Sequence, residues 1–167
     1  MKVIGIDLAG LERNPTGFCI LTDKGSEVKT VFSDNDIIKE IENASLEPRI
    51  PDIIAIDAPF SFPKKGYYRD GDKLLKQEGF HCLSPRFPGM RPLVIRAMKL
   101  VRELRSRDFN VIEVFPRASE KILGLQKERK ANPHEYDALL CALTGKYFLE
   151  GKFRSMGKEK IIIPKLL

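Results

Sequence analysis

The stretch KVIGIDLAGLERNPTGFCILTDKGSEVKTVF, residues 2–32, decides the fold. It contains three runs rich in Val, Ile and Thr: Lys2–Leu8, Gly17–Thr22 and Glu27–Phe32. Apolar runs this short, bounded by turn residues, read as strands rather than helices. Asp23-Lys24-Gly25 separates the second run from the third, and its glycine can take the positive φ that a hairpin turn requires. The chain is therefore expected to open as an antiparallel three-strand meander.

Beyond the meander the periodicity changes. Ser33 or Asp34 supplies an N-cap, and Ile37, Ile38, Ile41 and Ala44 recur at helical spacing until Pro48 and Pro51 intervene. Asp52–Asp57 (DIIAID) is nearly all apolar, as expected for a strand covered on both faces. An irregular insertion at about 58–90 follows, dense in glycine and proline. Helical spacing returns with Leu93, Val94, Ala97, Met98, Val101 and Leu104. Asn110–Phe115 reads as a strand, and Pro133–Leu149 as a helix with Asn132 as its cap and Pro133 in its first turn. Glu159–Ile163 completes the set as a last edge strand. This order predicts one α/β domain over 1–167, with a mixed five-stranded sheet and helices on its faces.

Composition sets the outer limits. A chain of 167 residues is sized for one domain, and its 43% hydrophobic content needs no disulfide or zinc staple. Cys19, Cys82 and Cys141 are scattered without C-x-x-C spacing, so a reduced, cytoplasmic protein is expected. No membrane span is expected, because the longest apolar run, Ala138–Leu143, is far below the roughly 18 residues required. The +6 net charge suits a polyanionic partner and equally suits an ordinary soluble surface.

Three acids stand in unusual places. Asp7 ends the first strand, Asp57 ends the fourth, and Asp137 lies one turn into an otherwise apolar helix. Taken singly, an Asp after a strand starts a turn, and one in a first helical turn answers the helix dipole. Taken together, three carboxylates embedded in apolar runs repel each other unless protonated or bridged by a cation. Mg²⁺ or Mn²⁺ would resolve the repulsion, and a pair of such ions can hydrolyse a phosphodiester.

The segment I-G-I-D-x-A-G at 4–10, with T-G-F at 16–18, resembles the opening hairpin of RNase H-like nucleases. H-E-Y-D-A-L-L-C-A-L-T at 134–144 resembles the closing helix of RuvC-type resolvases, with His134 and Asp137 three residues apart. More specifically, the chain is similar to a family of predicted RNase H-like nucleases, domain of unknown function 429. The motifs are I-D-A-P-F-S-F-P at 56–63, R-D-G-D at 69–72, S-P-R-F-P at 84–88, V-I-E-V-F-P at 111–116 and D-A-L-L-C-A-L-T at 137–144. The resemblance implies an RNase H-like fold with a metal centre of Asp7, Asp57 and Asp137. RuvC-type enzymes usually carry Glu where this chain has Asp57.

Other residues are read around that centre. Glu113, a charge inside a strand, is expected to be a fourth acid, although an outward-facing position is the plainer alternative. His134 is read as an auxiliary ligand or proton carrier, against simple helix capping. In the insertion, Lys64, Lys65, Tyr67, Arg69 and Arg86 are candidate contacts to DNA or RNA, since cations meet phosphates and aromatics stack on bases. Arg69 and Asp72 have the spacing of a helical ion pair. Arg96, Lys99 and Arg102 read as a basic, solvated helix stripe. The leading expectation is a Mg²⁺- or Mn²⁺-dependent nuclease. Its rivals are a nucleotide-binding phosphotransfer protein of the actin-like ATPase type, for which a homodimer would supply the second half, and a non-catalytic nucleic-acid-binding module.

Overall fold

A computed structural model of the chain describes residues 1–46, 50–127 and 131–166. Strands β1 (Lys2–Asp7), β2 (Thr16–Thr22) and β3 (Gly25–Val31) form the expected meander, joined between β2 and β3 by a tight turn over Asp23-Lys24. Helix α1 (Asp34–Leu46) begins at Ser33. The Ser33 hydroxyl accepts from the Asp36 N–H at 3.0 Å, while the Asp36 carboxylate accepts from the Ser33 N–H at 2.9 Å. That reciprocal cap satisfies two otherwise orphaned donors. Of the two prolines expected to end α1, Pro48 lies outside the described residues.

Strand β4 (Ile53–Asp57) runs parallel to β1, and β5 (Val111–Glu113) runs parallel to β4. The sheet order is β3-β2-β1-β4-β5. Side-chain alternation divides it into two faces. Ile4, Ile6, Phe18, Ile54 and Ile56 pack against α1 and against α3 (Arg91–Ser106) through Ile37, Ile41, Ala97, Leu100 and Leu104. Val3, Cys19, Ile53 and Ala55 face α5 (Pro133–Leu149), meeting Ala138, Cys141 and Ala142. The result is an α/β/α sandwich of the expected class. All three cysteines are buried and free, which suits small core residues.

The structure departs from the sequence expectations in three places. The insertion is not wholly irregular, because Asp70–Gln77 forms helix α2 with Leu75 buried beneath it. A two-turn helix bounded by Gly66 and Gly79 is too short to carry a visible apolar period. Helix α4 (Pro116–Leu123) was likewise hidden by its shortness. The last strand, β7 (Ile161–Pro164), is not an edge of the main sheet. It pairs antiparallel with β6 (Phe153–Met156) and reaches the main sheet through a single bridge, Val114 to Ile162. This ribbon closes a second apolar cluster of Leu75, Cys82, Ala118, Met156, Ile161 and Ile163.

Candidate active site

Because β1 and β4 are parallel and in register, Asp7 stands directly beside Asp57. Alternation turns both toward α5, the face shared with Val3, Ile53 and Ala55. Two glycines bring the third acid to them. Gly5 and Gly17 have no Cβ, and a methyl at either would collide with α5 backbone, at Ala138 and at His134 respectively. The first turn of α5 is fixed by its cap, where the Asn132 side chain accepts from the N–H groups of His134 and Glu135. Thr30 ties that turn to β3 by donating to Glu135 at 2.9 Å. His134 Nδ1 then lies 3.0 Å from Asp7 Oδ2, and Asp137 faces the same region.

The structure therefore gathers Asp7, Asp57, Asp137 and His134 at one sheet edge. Burial pushes the Asp57 carboxyl well above the ordinary carboxylate range, and Asp7, Asp137 and Glu113 push it further. Asp7 is raised by burial, opposed by its hydrogen bond to His134. Asp137 is raised by burial and by Asp7, opposed by Arg117, whose Nη2 lies 3.4 Å from Asp137 Oδ2. Arg117, in the first turn of α4, is the functional candidate that the sequence reading missed. Its only signal was a Pro-Arg pair after V-I-E-V-F, which does not reveal what it faces.

Among the described residues no three His, Cys, Asp or Glu side chains converge closely enough to hold one ion. Two of the acids are engaged instead, Asp7 by His134 and Asp137 by Arg117. The donor chemistry nevertheless fits a hard divalent cation: carboxylate oxygens with too little positive charge around them. Asp7, Asp57 and Asp137 are the residues that would hold it.

Glu113 belongs to a different arrangement. Both of its oxygens accept from Arg69, at 2.6 and 3.0 Å, and one also accepts the Phe60 N–H at 2.9 Å. Arg69 also donates to both oxygens of Asp72, at 2.8 and 2.9 Å. All three side chains are 5% exposed or less. The helical ion pair anticipated from spacing thus exists, but as a buried triad pinning α2 to β5. The expectation that Arg69 offers an exposed contact to nucleic acid is corrected by this burial. Glu113 touches Asp57 electrostatically rather than as an open ligand.

The remaining cations divide. Lys64 and Lys65 are exposed and line a groove with Lys73 and Lys158, while Tyr67 is exposed nearby. Arg86 is exposed and donates to the Pro63 carbonyl at 2.9 Å. The basic stripe on α3 is interrupted, because Arg96 is buried and holds Asp34 and the carbonyls of Ala9 and Phe32. No helix among the described residues is long and apolar enough to cross a membrane.

Comparison with known proteins agrees with this architecture. A family model described as "Protein of unknown function (DUF429)" matches residues 5–135. No curated protein matches the chain. Among solved structures, Thermus thermophilus RuvC in complex with Holliday junction substrate superposes with a TM-score of 0.54 at 18% identity, covering 90% of this chain and 96% of that one. A second structure of Thermus thermophilus RuvC gives 0.50 at 16% identity, covering 90% and 97%. The shared fold is RNase H-like α/β.

Proposed function

The chain belongs to the DUF429 family, and from its acidic sheet edge we propose that it is a divalent-metal-dependent nuclease acting on phosphodiester bonds of nucleic acid. The carrying observation is the in-register pair Asp7 and Asp57 facing Asp137, a carboxylate cluster with too little compensating charge. A structural neighbour that binds a branched DNA supports a nucleic-acid partner, as do the exposed lysines of the insertion.

In this reading Asp7, Asp57 and Asp137 would hold Mg²⁺ or Mn²⁺, which would supply Lewis-acid stabilisation of the charge on a transferring phosphoryl group. His134 orients Asp7 and is placed to carry a proton at Nδ1 or to join the ligands. Arg117 counters the charge of Asp137, which Asp7 would otherwise oppose uncompensated. Glu113, held by Arg69, stiffens the strand beside Asp57. Lys64, Lys65, Tyr67 and Arg86 border the approach of the polyanion.

The test is Mg²⁺- and Mn²⁺-dependent cleavage of DNA and RNA panels that include branched substrates, with Asp7→Asn as control. Cleavage lost in the variant supports the proposal. Absence of cleavage on every substrate, or full activity in Asp7→Asn, defeats it.

A further inference from the structure

Clefts chained by shared walls run over the insertion and the start of α3 towards the acidic edge. The first is walled by Lys64, Lys65, Lys73 and Lys158. Phe62 belongs to its wall and also to that of the second, where it is joined by Arg86 and Arg91. Arg91 carries on into the third, beside Ile95 and Lys99 on the exposed side of α3. Gly10 closes the third and opens a fourth, which ends at Asp7 and His134.

The cations of this track are uncompensated. Among the described residues no carboxylate lies within ion-pair distance of Lys64, Lys65, Arg86, Arg91 or Lys99, whereas Lys29, Arg107, Lys152 and Arg154 elsewhere each hold one. Lys73 and Lys158 meet Asp70 loosely, at 3.9 and 3.7 Å. The other acids in these walls are committed. Glu159 accepts the Gly71 N–H at 2.8 Å, Glu12 accepts the Asp34 N–H at 2.7 Å, and Asp34 accepts from Arg96 at 2.7 Å.

Unanswered cations strung along a recess attract a polymer whose negative charges repeat along a line. A bilayer surface meets convex faces, not a run of clefts. Phe62 discriminates among the remaining polyanions, because it shares its cleft with two guanidiniums. An acidic peptide has no flat face for that ring, and a duplex turns only base edges outward. An unpaired base can lay its face on the ring while its phosphates meet the arginines.

We propose that this track binds single-stranded nucleic acid, with phosphates on Lys64, Lys65, Arg86, Arg91 and Lys99 and a base against Phe62, and leads it past Gly10 to the acidic edge. The inference rests on the nuclease reading for what happens at that end. It deepens that reading by naming the substrate class, a single strand or a single-stranded arm, and by adding Arg91 and Lys99 of α3 to the surface that holds it.

The test is fluorescence anisotropy of labelled oligothymidylate and of a duplex of equal charge, titrated with the full chain in EDTA over a range of salt. The single strand should bind more tightly than the duplex. Arg91→Gln combined with Lys99→Gln should flatten the salt slope by about 1.4, two phosphate contacts at about 0.7 each, with an unchanged melting temperature. Phe62→Leu, which keeps the position apolar, should weaken single-strand binding at least about fivefold and leave the slope intact. An unaltered slope in the double variant, or tighter binding of the duplex, overturns the proposal. So does equal or tighter binding of polyglutamate or of phosphatidylserine vesicles. Cleavage separates the two ideas: track-dependent binding without cleavage sinks the nuclease reading alone, and cleavage with an unaltered slope in the double variant sinks this one alone.

Discussion

Replacing Gly17 with alanine probes the contact that sets the whole site. A Cβ built on Gly17 would lie 1.8 Å from the carbonyl oxygen of His134 and 3.1 Å from the Ala138 side chain. Ordinary contact begins near 3.4 Å, so the first turn of α5 must retreat by about 1.6 Å, the difference between the two distances. The atom in the way is helix backbone, which cannot rotate aside as a side chain can. Displacement of that size takes His134 Nδ1, now 3.0 Å from Asp7, out of hydrogen-bond range, and carries Asp137 away from Asp57. The overpacking cost is about 3 kcal/mol, which for a chain of this length lowers Tm by roughly 6–12 °C. Thermal unfolding by circular dichroism reads the first effect. Mn²⁺ affinity reads the second and should fall at least tenfold, since misplacement by about 1 Å is enough to degrade a preorganised site. Gly10→Ala is the control, because its nearest neighbour would be at 3.4 Å. A Gly17→Ala protein that melts within about 2 °C of the parent and binds Mn²⁺ equally well would refute the close-approach reasoning.

The other predictions concern charge. Asp7, Asp57 and Asp137 all have carboxyls raised from 3.8 in the folded protein, so the folded state holds protons that the unfolded state has released. Their contribution to stability is complete below about pH 4 and drains away as pH rises through the raised values, which makes the metal-free protein pay for its site at neutrality. Asp57→Asn should therefore stabilise the metal-free protein at pH 7 by on the order of 1 kcal/mol and flatten its pH profile, as calorimetry across pH 4–8 would show; lower stability at pH 7 counts against it. Arg117→Gln should tighten Mn²⁺ binding measured by titration calorimetry, since the competing cation is gone; weaker binding would mean Arg117 supports the metal site instead. Arg69→Met strands Asp72 and Glu113 without a cation and should cost about 3–5 kcal/mol in urea unfolding, most severely at high pH. A loss below about 1 kcal/mol would show that water reaches the triad.

Strands and long helices were legible because each carries its own period: DIIAID is a buried strand by composition alone, and α5 runs from its Asn132 cap to Leu149 as its punctuation indicates. The acids at 7 and 57 were visible as charges ending apolar runs. What the sequence could not show was pairing at a distance. Arg69 and Glu113 are 44 residues apart, and nothing local tells a buried guanidinium from a surface one. Arg96 misled for the same reason, since its partners Ala9, Phe32 and Asp34 are 62 residues or more away in the chain. Arg117 escaped because α4 spans only Pro116–Leu123 and faces α5, a neighbour set by topology.

Two ionic systems thus meet at β4 and β5, and their contrast locates the chemistry. Asp72 and Glu113 enclose one guanidinium with four hydrogen bonds, and their burial is complete. A system so satisfied has nothing left to bind and acts as a pillar between α2 and the sheet. A few residues away, Asp7, Asp57 and Asp137 share one imidazole and one exposed arginine, at 3.0 and 3.4 Å. In a chain whose net charge is +6, cations to neutralise that edge were plentiful, yet the fold leaves the carboxyls raised. Such an imbalance is tolerated where it serves a ligand, because a group that destabilises the free protein strengthens binding of whatever relieves it. The pillar holds the neighbouring strand in place, so that the cation proposed above would find Asp7 and Asp57 already side by side at the sheet edge.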